Sequence, residues 1–127
     1  MKIVSKDDAI STAQVMLDRK ALDVVLLDIS SLVPYADYFL ICSGRSLVQV
    51  KAIVTAVEDH LKGKGFRPLH IEGYSESRWV LLDYDDLIVH IFLEEAREFY
   101  NLERLWSNVP HTEFEDESLI DRPLTTT

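Results

Sequence analysis

The sequence predicts a single α/β domain in which a mixed β-sheet of about five strands is flanked by helices. The chain has 127 residues, 47% of them hydrophobic, which is the size of one domain that buries most of its surface on folding. Residues 23–29, DVVLLDI, are apolar on both sides of an extended chain and predict a strand covered on both faces. Residues 78–84 and 86–93 are apolar runs with almost nothing between them, which predicts an antiparallel hairpin.

The first predicted element is an amphipathic helix. Ser5, followed three residues later by Asp8, is a capping signal, and apolar residues recur at helical spacing over residues 9–21. After the strand at residues 23–29, a second strand is predicted at residues 37–44, DYFLICSG, where the glycine ends the apolar run.

The longest predicted helix follows that second strand. Ser46 caps it, Gly63 or Gly65 ends it, and one stripe of its surface is apolar. The stripe consists of Leu47, Val50, Ile53, Val54, Val57 and Leu61. Residues 68–73, PLHIEG, supply a third strand, so we expect a strand, helix and strand unit that is parallel and right-handed.

The chain changes character towards its C-terminus. Residues 94–106 carry helix formers and predict one or two helices packed on the sheet. Residues 109–127 contain two prolines, clustered acids and three terminal threonines, which predicts a mobile tail. Its few apolar residues leave docking of the tail as the less favoured alternative. We therefore divide the chain into a domain of residues 1–108 and an acidic tail of residues 109–127.

Composition narrows the classes of function. Asp and Glu number 22 against 13 Lys and Arg, so the net charge of −9 repels phosphate backbones and predicts little direct nucleic-acid contact. An acidic protein associates readily with basic partners. No run approaches the roughly 18 apolar residues that span a bilayer, and no signal peptide is recognisable, so we expect a cytoplasmic protein without membrane contact. The only cysteine, Cys42, lies in an apolar run, which predicts a buried, inert thiol.

A catalytic metal site is one interpretation of the hairpin acids. Asp83, Asp85 and Asp86 offer oxygen ligands that suit magnesium, with Glu72 as a further acid. Residues 41–46, ICSGRS, end a strand before a helix broadly as a phosphate-binding segment does. Asp85 must sit in the tight turn, however, where turn geometry directs its side chain. Solvated turn acids are the interpretation that we favour.

The other reactive residue types form no recognisable constellation. The four histidines are far apart in sequence and show no zinc-binding spacing. His90 lies between Ile88 and Phe92 on an apolar strand face, which favours a histidine packed in the core or at a sheet edge. Ser43 and Ser46 lack a nucleophile elbow. The sequence therefore predicts neither a hydrolase nor a cofactor.

Aromatic residues cluster around the hairpin and the helix after it. Trp79 and Tyr84 lie in the hairpin, and Tyr100 and Trp106 follow it, near the hairpin acids and Arg97. Trp, Tyr and Arg dominate the binding energy of protein interfaces. Core packing is the alternative for each aromatic side chain, above all for Trp106 with its helical spacing. A docking surface for a basic partner is favoured over a reaction centre.

Several segments, read in order, resemble the ribosomal silencing factor family, also called the Iojap-like family. They are DYFLICSG, QVKAI, EGY, WVLLDYDDLIVHIF and REFYNLERLW, within residues 5–107. The resemblance implies a nucleotidyltransferase-like α/β fold without transferase activity. It also implies a protein that binds ribosomal protein fourteen of the large subunit, prevents the two subunits from joining, and reduces translation when nutrients are scarce. A metal-dependent nucleotidyltransferase-like enzyme is the alternative.

The resemblance also gives matching residue positions, and physical reasoning divides them between the docking face and the packing of the fold. The predicted partner-binding residues are Glu72, Trp79, Asp83, Tyr84, Asp86, Arg97 and Tyr100. Trp106 and part of Tyr100 are expected to pack the fold. Asp85 departs from the family, which usually has glycine there, so we predict a positive φ at Asp85 in an intact, slightly strained turn. The exposed aromatics expected on the hairpin and helix would also support a homodimer.

Overall fold

A computed structural model describes residues 3–100 and 109–114, with only the backbone at residues 98–100. The described helices are α1 (Lys6–Asp18), α2 (Leu47–Gly63) and α3 (Glu94–Tyr100). The described strands are β1 (Leu22–Asp28), β2 (Tyr38–Gly44), β3 (His70–Glu72), β4 (Trp79–Asp83), β5 (Leu87–Leu93) and β6 (His111–Phe114).

These strands form one sheet in the order β3-β4-β5-β2-β1-β6. Strands β2 and β5 are parallel, with Tyr38 opposite Leu87 and Gly44 opposite Leu93. Every other neighbouring pair is antiparallel. Strand β3 therefore runs in the same direction as β2, as predicted for the strand, helix and strand unit, but β4 and β5 lie between them. The predicted mixed α/β sheet is confirmed.

The number of strands and the extent of the tail need correction. We predicted about five strands and a tail from residue 109, whereas residues 111–114 form a sixth strand at the edge of the sheet. Val24 of β1 lies opposite Phe114, and Leu27 lies opposite His111. Strand β1 is apolar on both faces, and without β6 the backbone N–H and C=O groups on its outer side would lack these partners. Residues 115–127 lie outside the described residues.

Both long helices begin at the predicted caps. The Ser5 hydroxyl accepts a hydrogen bond from the Asp8 backbone N–H at 3.0 Å, and the Asp8 carboxylate accepts from the Ser5 N–H at 3.1 Å. Ser46 caps α2 by accepting from the Gln49 N–H at 3.1 Å. The chain leaves α2 through Gly65 at φ 92°, a conformation that glycine adopts without strain.

Apolar layers lie on both sides of the sheet. On one side, which we call the helix face, α1 and α2 pack against the strands, and Val24 and Leu26 of β1 join this layer. On the other side, which we call the opposite face, Val25 and Leu27 of β1 pack with residues from the loop 29–36. The prediction that this strand is covered on both faces is confirmed.

The lone cysteine lies on the helix face. Cys42 is fully buried, and burial raises the pKa of its thiol to about 12. A thiol with so high a pKa is almost entirely protonated at neutral pH, and the thiolate is the reactive form. The predicted burial of Cys42 is confirmed, and the raised pKa favours the inert, protonated form.

Two predicted elements differ in length from the observed ones. Strand β3 covers His70–Glu72, inside the predicted residues 68–73. Helix α3 agrees with the first half of the predicted helix at residues 94–106. Residues 101–108, which include Trp106, lie outside the described residues.

Candidate docking surface at the hairpin edge

A tight turn joins β4 to β5. The Tyr84 N–H donates to the Leu87 carbonyl at 2.9 Å, so Asp85 and Asp86 form the loop. Asp85 has φ 77°, as predicted, and its N–H donates to the Asp83 carboxylate at 2.8 Å. Aspartate tolerates positive φ better than most residues do, and this local hydrogen bond holds the turn in place.

The strand register decides which side chains share a face. Directly opposed residues of an antiparallel pair point to the same side. In the β3–β4 pair, Glu72 is paired with Leu81 and His70 with Asp83. Leu81 packs in the layer of the sheet side named the opposite face. The period of two along β4 adds Trp79 to this set. We call these five residues, His70, Glu72, Trp79, Leu81 and Asp83, the hairpin-edge surface.

The imidazole of His70 lies between two carboxylates of this surface. Its Nε2 is 3.0 Å from the Glu72 carboxylate, and its Nδ1 is 3.6 Å from the Asp83 carboxylate. The side chains of His70 and Glu72 are 50% and 66% exposed, since β3 is an edge strand. Glu72 and Asp83 are therefore linked through a histidine at an open edge of the sheet.

A second group of acids surrounds the turn, which we call the acidic end: Asp37, Asp85 and Asp86. The Asp86 carbonyl accepts hydrogen bonds from the N–H groups of Asp37 and Tyr38 at 2.9 and 3.0 Å. This parallel contact between β2 and β5 brings Asp37 to the hairpin. Partial burial, Asp85 and Asp37 together raise the pKa of the Asp86 carboxyl. Like charges are thus held near one another, and a positively charged partner would relieve their repulsion.

Two side chains of β5 hold the partly buried Trp79 in place. Its indole N–H donates to Nδ1 of His90 at 3.0 Å, and its ring stacks on Phe92 with centroids 5.1 Å apart. His90 is 4% exposed, and burial lowers the pKa of its imidazole to about 4, so it is neutral at pH 7. Gly73, at φ 80°, passes so close to β4 that a Cβ there would overlap the Trp79 carbonyl oxygen.

The ICSGRS segment and the hairpin acids, which the catalytic interpretation would bring together, lie at different ends of the sheet. Gly44 of the ICSGRS segment pairs with Leu93, whereas the acids precede Leu87, so strand rise separates them by about 20 Å. Within residues 3–100 and 109–114, no group of three or more His, Cys, Asp or Glu could hold a metal ion. In the same ranges, no helix combines the length and apolar character needed to cross a bilayer.

Comparison with known proteins decides the family. The family model "Ribosomal silencing factor during starvation" matches residues 3–126. The chain belongs to the ribosomal silencing factor family. It is 43% identical over 93 residues to "Ribosomal silencing factor RsfS" of Bacillus subtilis, covering 73% of this chain and 79% of the relative. It is 35% identical over 112 residues to "Protein Iojap, chloroplastic" of Arabidopsis thaliana, covering 87% of this chain and 47% of that protein.

Solved structures agree with this assignment. A crystal structure of a Bacillus halodurans protein has a TM-score of 0.73 at 36% identity, covering 86% of this chain and all of that chain. A Chromobacterium violaceum protein structure has a TM-score of 0.75 at 32% identity, covering 84% of this chain and 88% of the other. The resemblance read from the ordered segments is confirmed, as is the mixed α/β fold. Ribosomal silencing factors are not known as enzymes.

The structure gathers some of the predicted partner-binding residues on one side. Glu72, Trp79 and Asp83 lie on the hairpin-edge surface, and Asp86 lies in the adjoining turn. Glu72 is exposed and the other three are partly buried. Whether they contact a partner stays a prediction, but their positions are compatible with it.

Tyr84 is placed differently from the prediction. It is only 5% exposed and belongs to the helix-face layer, where burial, with a smaller contribution from Glu58, raises the pKa of its phenol to about 12. The period of two along a strand explains this, because Trp79, Leu81 and Asp83 on one face leave Val80, Leu82 and Tyr84 for the other. Tyr84 therefore does not share the face of Trp79 and Asp83 in the free protein, and its contact with a partner stays a prediction.

Arg97 is also buried, at 3% exposure. Its Nη1 donates to the Asp23 carbonyl at 2.8 Å and to the Ser43 hydroxyl at 2.9 Å, which ties α3 to the ends of β1 and β2. Such a guanidinium is a structural anchor, and its burial does not favour the expected contact with a partner, which stays a prediction. The backbone of Tyr100 ends α3, and its side chain lies outside what the structure describes.

Sequence reasoning missed three members of the site. His70 and Leu81 share the alternation of Glu72 and Asp83, so the period of two was a usable signal. Asp37 had no such signal. It joins the acidic end only because β2 pairs with β5, which are separated by more than 40 residues along the chain.

Proposed function

We propose that this protein binds the large ribosomal subunit through ribosomal protein fourteen and sterically blocks joining of the small subunit. Translation would then be repressed when nutrients are limiting. The family assignment supports a ribosomal role, and the finer statement rests on the chemistry of the hairpin-edge surface and the acidic end. The observation that carries it is that Glu72 and Asp83 share one face of the hairpin edge with the partly exposed Trp79, with further acids at the turn.

Electrostatics favour a basic protein partner over RNA. Partial burial, and then the neighbouring charges of Asp85 and Asp37, raise the pKa of the Asp86 carboxyl. The whole chain carries a charge of −9, which opposes approach to phosphate but accelerates encounter with a lysine- and arginine-rich surface. Ribosomal proteins are basic, so complementary charge selects a protein on the subunit surface.

The neighbouring apolar groups supply the short-range part of the interface. Trp79 and Leu81 are partly buried in the free protein, and Glu72 and Asp83 stand at their rim. A tryptophan surrounded by polar groups that exclude water is the usual composition of an interface hot spot. No bond-making chemistry is needed for this role.

The mechanism is occlusion by binding. A factor with nanomolar affinity has about 12 kcal/mol of binding free energy at a 1 M standard state. Present at about 1,000 times its Kd, it opposes docking of a small subunit at an overlapping site by about 4 kcal/mol. The factor needs only to occupy the joining surface for longer than the small subunit takes to dock. Sedimentation of the protein with purified subunits tests the first step, and we expect co-migration with the large subunit alone.

Charge reversal tests the acids. We expect Asp83→Lys or Asp86→Lys to weaken large-subunit binding by roughly tenfold, more at low salt than at high salt. Asp18→Lys is the matched control, since Asp18 is exposed at the end of α1, beside the start of α2. Equal losses in all three variants, or no salt dependence, would remove the acids from the interface.

An order-of-addition experiment tests occlusion itself. Subunit joining followed by light scattering should be slowed when the protein meets the large subunit first and should be unaffected by preincubation with the small subunit. If the protein binds the large subunit but joining is not slowed, the occlusion mechanism fails and only ribosome binding stands.

Two further expectations belong to this proposal. We place the protein with cytoplasmic ribosomes, and a homodimer stays a prediction that sedimentation equilibrium can decide. If the dimer forms and competes with large-subunit binding, the same surface serves both contacts.

A further inference from the structure

His90 is an unusual choice for the middle of a buried sheet. It lies opposite Leu81 of β4 and Ile41 of β2, and Phe39 meets its ring edge-on with centroids 4.6 Å apart. An aliphatic residue would suit these neighbours, since cores favour side chains without polar atoms.

The two ring nitrogens of His90 differ in their hydrogen bonding. Its Nδ1 accepts the Trp79 indole N–H, so the proton of the neutral imidazole is on Nε2. Within the described part of the chain, the buried Nε2 has no hydrogen-bond partner. A buried donor without an acceptor is unfavourable, so His90 contributes less to stability than an apolar residue would.

What His90 provides, and an aliphatic residue would not, is the acceptor for Trp79. The indole lies partly exposed on the hairpin-edge surface, with Phe92 stacked beneath it. Stacking fixes the plane of a ring, whereas a hydrogen bond to its N–H also fixes its direction within that plane. An anchor held in one orientation binds with a smaller loss of side-chain entropy.

We propose that His90 is a positioning residue for docking, whose Nδ1 holds the Trp79 indole in the orientation that the ribosomal partner receives, at the expense of core stability. This inference rests on the proposed function and deepens it, because it names how the docking surface is pre-organised. It makes affinity and stability respond oppositely to substitution at one buried position.

A pair of variants of similar size separates the two properties. His90→Leu removes the acceptor, whereas His90→Asn retains one, because its amide oxygen is attached to Cγ as Nδ1 is in histidine. We expect His90→Leu to be the more stable of the two in urea unfolding, and yet to bind large subunits roughly five- to tenfold more weakly. We expect His90→Asn to bind within about twofold of the wild-type protein. If affinity followed stability, with His90→Leu binding as well as wild type, His90 would be a core residue only.

A double-mutant cycle tests whether the effect passes through Trp79. In a Trp79→Phe background there is no indole N–H to hold, so His90→Leu should cause no further loss of affinity. Losses that simply add would overturn the inference. Thr12→Val is the control, since Thr12 is a fully buried residue on α1 whose hydroxyl donates to the Asp8 carbonyl at 2.8 Å. It should lower stability without changing affinity.

The indole N–H resonance of Trp79 in the free protein gives a readout that needs no ribosome. Its NMR signal should move strongly in His90→Leu and stay near the wild-type position in His90→Asn. If this holds but the wild-type protein does not bind large subunits, the proposed function fails. If wild type binds and Trp79→Phe weakens binding while His90→Leu does not, the docking surface stands and the positioning role fails.

Discussion

The polar side chains at the two ends of the parallel pair β2 and β5 differ in the partners that they find within the chain. At the end that we call the anchored end, around Gly44 and Leu93, the buried Arg97 donates to a backbone carbonyl and to the Ser43 hydroxyl. At the acidic end, Asp86 lies near Asp85 and Asp37, and partial burial together with these two charges raises the pKa of its carboxyl.

The difference separates structural polar residues from candidates for recognition. A buried group that finds its partners within the chain holds the fold together and has nothing to offer another molecule. Exposed groups of like charge cost stability in the free protein and gain most from an oppositely charged partner. Both ends looked functional in sequence. The distribution of hydrogen bonds and charge makes the acidic end the candidate for recognition of a basic partner by charge, whereas Arg97 at the anchored end serves the fold.

The largest expected effect comes from removing the buried guanidinium at the anchored end. Arg97→Met should lower the free energy of unfolding by about 3–5 kcal/mol, because the Asp23 carbonyl and the Ser43 hydroxyl lose their donor. Urea denaturation measures this loss. Large-subunit affinity of the folded protein should not change. Arg78→Met is the control, since Arg78 is exposed and 4.0 Å from Glu95, and its loss should be under about 0.5 kcal/mol. Lost affinity at unchanged stability would make Arg97 a contact residue.

Acid should weaken the middle of the sheet, between the two ends. Burial lowers the pKa of His90 from 6.5 to about 4. The unfolded chain therefore takes up a proton at higher pH than the folded one, so stability is lost as pH falls from 6.5 towards 4. The loss should approach about 3 kcal/mol, from 1.36 kcal/mol per unit of pKa difference. Urea unfolding at pH 7.5 and 4.5 measures it, and His90→Leu should remove this part of the dependence. An unchanged dependence in that variant would exclude His90 as its source.

A smaller effect tests the helix-face side of the hairpin. The Tyr84 hydroxyl is buried without a hydrogen-bond partner among the described residues, so Tyr84→Phe should be neutral or stabilise by up to about 1 kcal/mol. Thermal unfolding and large-subunit affinity should be measured together, with Tyr35→Phe, at a position 61% exposed, as the control. A marked loss of affinity in Tyr84→Phe alone would show that the hairpin opens on docking.

The smallest expected effect comes from removing one charge at the acidic end. The raised pKa of Asp86 means that its ionised form is disfavoured in the folded protein, so Asp86→Asn should stabilise it at pH 7 by a few tenths of a kcal/mol. The gain should disappear below about pH 4, where the wild-type carboxyl is protonated. Comparing melting temperatures at pH 7 and pH 3.5 measures this. A destabilised Asp86→Asn variant would mean that the carboxylate has a favourable partner in the free protein.

Local sequence signals predicted much of the fold. The Ser5 and Ser46 caps, the doubly buried β1 and the hairpin turn at Asp85 were each predictable, because they depend on residues a few positions apart. Strand β6 was not, because four residues with little apolar character become a strand only when β1 offers its edge. For the site, Glu72, Trp79 and Asp83 were predicted together, whereas assigning Tyr84 to the same surface ignored the alternation of the strand.

The sequence by itself determined the kind of fold, the family and the excess of negative charge, since these follow from composition and from ordered local segments. Tertiary structure decided which of the predicted partner-binding residues face outward. The pairing of β2 with β5 brought Asp37 to the hairpin and placed Ser43 within reach of Arg97, and the packing of α2 on the helix face buried Tyr84. Contacts between residues distant in the chain depend on strand order and on the layers that cover each face, and no local pattern records either one.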